Sequence, residues 1–179
     1  MAKMTVAALR KGLTAHDNGV LSYGGHEAGA RAFCALEYRS VLLGQQFTDD
    51  PDMVDFPDIR SLNDAFGKGP DADTHRTKHL LPVLAALWNW HEWSQTKRIK
   101  WAKRVAIYTV NDIVSALPGL TPRIRLQCQH ANTVRAAKSA ARSAARSAAD
   151  SAADSAAASA KVKVLARSCR LFIQATQGL

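Results

Sequence analysis

The chain has 179 residues, 24 Lys and Arg against 15 Asp and Glu, and a net charge of +9, which bounds it to one domain or one domain with an appendage. Three widely spaced cysteines exclude a disulfide scaffold and fit a reducing, cytoplasmic setting. No apolar run reaches the roughly 18 residues of a transmembrane helix, and the apolar stretch at the N-terminus is too short for a signal peptide.

Read in chain order, the sequence is helical nearly throughout. Thr5 caps a short helix that runs through Leu13, and the Gly/Asn/Asp cluster from Asp17 to Gly25 breaks it. His26 to Leu43 reads as a helix with Phe33 and Leu36 on one face, stopped by Gly44. Asp49 to Pro57 is a turn-rich linker, and Asp58 caps a short helix to Phe66. Gly67, Gly69 and Pro70 form the next break. His79 to Trp90 is mostly apolar and predicts a buried helix with Pro82 in its first turn.

The clearest periodicity follows, between a cap at Ser94 and a stop at Pro118-Gly119. Ile99, Ala102, Ala106, Thr109, Ile113 and Ala116 are spaced alternately by three and four, which puts one stripe on one helix face. Lys97, Lys100, Lys103 and Arg104 fall off that stripe, towards solvent. Thr121-Pro122 caps the next helix; the alternation in residues 123–126 also allows a short strand, and helix is preferred. From residue 135 to 160 the unit Ser-Ala-Ala-(Arg/Asp) repeats every four residues, in the best helix former there is. A continuous helix from Pro122 would far outreach a compact domain, so a break with a new cap is expected at Asn132-Thr133. Val162, Leu165, Cys169 and Phe172 restore a bulky stripe that should dock. The expected core comprises Phe33, Leu36, Leu84, Leu87, Ile99 and Ile113.

The chemistry-bearing residues are sparse. His75 and His79 have the spacing of two metal ligands on a helix, but no Glu lies between them and no third ligand sits at a known spacing. The carboxylates of TDDPDMVDFPD lack the Gly and Glu of a calcium loop. Cys34, Cys128 and Cys169 read as core thiols rather than nucleophiles. Trp88, Trp90, Trp93 and Trp101 are followed closely by bases, a pattern that can stack on nucleic acid but fits a small core better. No catalytic residue, metal or cofactor is expected.

Charge is the stronger signal. Residues 1–90 hold 9 Lys/Arg and 11 Asp/Glu, whereas residues 91–179 hold 15 and 4. Asp49, Asp50, Asp52 and Asp55 form an acidic loop and Lys97, Lys100, Lys103 and Arg104 a basic helix, each a candidate partner-binding surface. In the repeat, Arg142, Arg146, Asp150 and Asp154 are complementary to an antiparallel copy, which suits a homodimer; packing within the monomer is the alternative.

The segments FCALEYRSVLLGQQFTDDPDMV, DIRSLNDAF and HLLPVLAALWNW together resemble a group of small alanine-rich helical proteins of actinobacterial genomes and their phages. The resemblance spans about residues 26–160 and brings no activity and no functional residue with it. It implies a mobile-element setting, in which small helical proteins serve as counter-defence or immunity factors by binding other proteins. The expectation is an all-α protein with a helical body over 1–130 and an alanine-rich helix over 131–179. Its role is a non-enzymatic binding or assembly protein acting through protein–protein contacts in the cytoplasm, away from membranes. The alternative is a basic nucleic-acid-binding accessory protein.

Overall fold

A computed structural model describes residues 4–16, 19–29, 32–117, 119–150 and 158–179. Every regular element among them is helical, so the protein is all-α. Among the described residues no helix is long and apolar enough to cross a membrane. The chain divides into two compact units, Met1–Trp93 and Ser94–Leu179.

In the first unit, α1 (Val6–His16) is capped as expected, with the Thr5 hydroxyl accepting from the Ala8 N–H at 3.1 Å. Its Leu9 and Leu13 are buried, and α1 packs on α5. The helix expected from His26 is shorter: α2 spans Ala35–Leu42. Glu37 is the reason. Its carboxylate turns back to the Cys34 N–H at 2.7 Å while the Cys34 sulfur accepts from the Glu37 N–H, a capping box that starts the helix there. The expected linker contains a single helical turn, α3 (Pro51–Val54), and α4 spans Arg60–Ala65. Helix α5 (Pro70–Ala86) begins nine residues before the expected His79. Pro70 opens it at the first helical position, where a missing N–H costs nothing, and Pro82 therefore lies inside the helix rather than in its first turn. Phe33, Leu36, Leu84 and Leu87 are buried as expected.

The second unit begins with α6 (Gln95–Tyr108), capped by Ser94. The chain continues through a π-helical turn (Thr109–Ile113) and a 3-10 turn (Val114–Ala116). Thr121 caps α7 (Pro122–Gln129), so residues 123–126 are helix and not strand. The expected break and new cap are present: α8 (Val134–Asp150) starts where the Thr133 hydroxyl accepts from the Ala136 N–H at 3.1 Å. Val110, Leu120, Cys128, Ala131, Ala137, Ala140 and Ala144 form one buried cluster. The division expected near residue 130 therefore falls within this core, because α7 and the alanine face of α8 bury each other. Helix α9 (Ala158–Gln174) buries Leu165, Cys169 and Leu171. It docks on α6, where the Trp101 indole N–H donates to the Phe172 carbonyl at 3.1 Å and the two rings meet edge to face at 5.3 Å.

The periodic stripe of α6 behaves differently from expectation. Ile99 is 44% exposed, Ala102 and Ala106 are exposed, and Ile113 is only partly buried. The helix buries Trp101, on the opposite side, instead. Burial gain scales with apolar area, and an indole outweighs the small Ala102 and Ala106 of the stripe.

Candidate functional site

The acidic loop belongs mostly to the architecture of the first unit. Asp50 caps α3, accepting from the Asp52 N–H at 3.0 Å. The Asp49 carboxylate lies against Gly25, where a Cβ would stand 3.0 Å from its Oδ2. Asp55 takes a left-handed backbone, φ 44°, and its charge supports the buried Arg39. Asp52 is exposed.

Two fully buried arginines escaped the sequence reading. Arg39 donates to the Val54 carbonyl at 2.6 Å and the Trp88 carbonyl at 3.4 Å, and its guanidinium lies 4.5 Å from the Phe56 ring centroid. Burial lowers its pKa to about 10. Arg76 donates to the carbonyls of Asn63, Leu21 and Gly67 and pairs with Asp73. Its neighbour Thr77 accepts from the Leu21 N–H at 2.7 Å. Together they sew the loop after α1 to α5. The signal was local: Arg76 lies on the same face of α5 as the buried Leu80 and Val83, four and seven residues on.

His75 and His79 do share a face of α5. Their rings stack at 6.5 Å, and His79 stacks in turn on Phe66 at 6.0 Å. Among the described residues no group of three or more His, Cys, Asp or Glu could hold a metal ion. Cys34, Cys128 and Cys169 are buried free thiols. Burial raises Cys34 and Cys169 to about 12, so both stay protonated near neutrality. Beside Cys34 lies a cavity of about 60 Å³, bordered by Asn63 and Asp64, room for about one or two waters. Trp88, Trp90 and Trp101 are core residues, and Trp93 packs on Trp90 at 5.1 Å.

In the basic helix, Lys100 and Lys103 are exposed, Lys97 is partly buried, and Arg104 donates to the carbonyls of Ala175 and Gln177 beyond α9. Arg142 is exposed on α8. The side chains of Arg146 and Asp150 lie outside the described residues, as does Asp154. On α8, Arg135, Lys138 and Arg142 form an exposed row opposite the buried Ala137, Ala140 and Ala144. The four-residue repeat encodes both rows, because each repeat places a charge beside two alanines. No family model matches the chain, and no curated protein or solved structure matches it.

Proposed function

We propose that the protein is a non-enzymatic binding protein that acts through contacts between its helical faces and another protein. The outward face of α6 supports this reading. Ile99, Ala102 and Ala106 recur at three and four residues, remain exposed, and are bracketed by Lys100 and Lys103. Small residues let a partner helix approach closely, and the flanking lysines select one with an acidic rim. The mobile-element resemblance suits a counter-defence or immunity role of this kind. A pull-down from the host with wild type and with Ile99→Glu/Ala106→Glu tests it. A partner held by wild type and released by a variant with unchanged circular dichroism supports the reading. Capture indifferent to the α6 face sinks it.

The exposed row Arg135, Lys138 and Arg142 favours a second reading, contact with nucleic-acid phosphates. Such binding weakens steeply with salt. A mobility shift that fades between low and moderate salt, and is lost in Arg135→Glu/Lys138→Glu/Arg142→Glu, supports it. Absence of binding at low salt removes it.

A further inference from the structure

Helix α8 carries its charges in an order that works against the helix itself. Arg135 lies in the first turn, which holds no acid, and Lys138 and Arg142 follow it. The N-terminal end of a helix dipole is positive and favours anions. Every side chain three or four residues from these cations is neutral or another cation, so along the helix they only repel. All three are exposed. An anion laid along the row relieves both the repulsion and the clash with the dipole.

The surroundings of the row select the anion. Between Arg135 and Arg142, Ser139 is the only exposed residue besides Lys138, whereas the core of a protein interface needs apolar or aromatic anchors. The alanine side of the helix is buried against Val110 and Cys128, so no apolar face is left to lie in a lipid surface. The aromatic residues of the second unit are Trp101, Tyr108 and Phe172, and none of them is exposed. Single strands are held by stacking their bases on such rings, which a paired duplex does not require. Alanine and serine also keep α8 slim. A helix about 10–12 Å across enters the roughly 12 Å major groove of B-DNA, while that of A-form RNA is too narrow.

We propose that α8 lies along the major groove of double-stranded DNA, with Arg135, Lys138 and Arg142 on its phosphates. This rests on the nucleic-acid reading and deepens it, naming the form of nucleic acid and the helix that meets it. The three cations span about 10 Å of helix axis, at roughly 1.5 Å per residue. The duplex carries one charge per about 1.7 Å of its own axis, so phosphates lie within reach of each cation.

The test is fluorescence anisotropy of the full chain with a labelled DNA duplex, each of its strands alone, and an RNA duplex of the same sequence. Duplex DNA should bind about tenfold more tightly than the others. In Arg135→Gln/Lys138→Gln/Arg142→Gln the slope of log affinity against log salt should become shallower by about 2.7, or roughly 0.9 per phosphate. Between about 50 and 200 mM salt, that share is a loss of about 40-fold. Lys163→Gln/Arg170→Gln, at exposed positions of α9, should leave the slope unchanged. Glutamine is a good helix former, and the comparison of strands with duplexes uses wild type alone. Absence of duplex binding at low salt would remove this inference and the nucleic-acid reading together. Equal or tighter binding of a single strand or of the RNA duplex would overturn the inference alone. So would an α9 variant that loses as much slope per charge as the α8 variant, since net charge would then suffice. Vesicles of equal phosphatidylserine and phosphatidylcholine that displace the DNA would assign the row to a lipid surface instead.

Discussion

Leu84 and Ile99 look alike in the sequence, each an aliphatic residue in an apolar helical pattern. The structure separates them: Leu84 is fully buried and Ile99 is 44% exposed. Leu84→Ala is expected to cost about 2–5 kcal/mol, because a closed core leaves a cavity behind. Ile99→Ala should cost less than about 1 kcal/mol, and urea denaturation of the two variants checks the contrast. Burial also sets a pH limit. Cys34 rises from 9.0 to about 12 and Tyr38 from 10.0 to about 12. Above the lower values the unfolded chain releases protons that the folded chain keeps. Stability is therefore intact below about pH 9 and falls as pH climbs towards about 12. Thermal unfolding at mildly and strongly alkaline pH should show this drop. Cys34→Ser/Tyr38→Phe should make it shallower, leaving the share of Cys169, which is raised to about 12 as well; an equally steep fall in that variant would assign the loss to other groups.

Helix starts were legible wherever the capping oxygen and the N–H it accepts lie three residues apart. Thr5, Ser94, Thr121 and Thr133 all cap in this way. Thr133→Ala should destabilise the protein by about 1 kcal/mol, measured by denaturant midpoint, and Thr133→Ser should restore most of it. The start of α2 was not legible because its capping box uses a Cys in place of the usual Ser or Thr, and Glu37 also binds the His26 ring at 2.7 Å, eleven residues away. The start of α5 was missed because Gly69-Pro70 serves both as a break and as a first turn, and local sequence does not say which. On α6, periodicity revealed an apolar row but not which of two rows meets the core. That choice depends on Trp101 finding Phe172, 71 residues further along.

At the scale of the whole chain, the two units differ sharply in charge. Residues 1–93 hold 9 Lys/Arg and 12 Asp/Glu, and residues 94–179 hold 15 and 3. The acids of the first unit are largely occupied: Asp58 pairs with Arg60, Asp73 with Arg76, and Asp64 accepts from the Gly24 N–H and Asn63. Many bases of the second unit instead project outwards, so its positive excess is a surface property with a long electrostatic reach. We propose from the order Arg142, Arg146, Asp150, Asp154 an antiparallel self-association in which these pairs supply orientation rather than affinity. Light scattering should then show a dimer. Reversing Asp150 and Asp154 to Arg should give a monomer, and also reversing Arg142 and Arg146 to Asp should restore the dimer. A wild-type monomer at high micromolar concentration would end the idea.

The alanine face of α8 has a consequence for how this protein can vary between lineages. Four residues turn a helix by about 400°, so each repeat drifts by about 40°. The drift is absorbed because each repeat carries two adjacent alanines: the buried Ala137 is the second of its pair, while Ala140 and Ala144 are the first of theirs. Inserting or deleting one whole Ser-Ala-Ala-Arg block leaves small residues at all three positions. The packing against α7 therefore does not register how many blocks follow. A change in the number of blocks would therefore leave this core intact. The tract is free to lengthen or shorten in steps of four residues, until whatever lies beyond it sets the count.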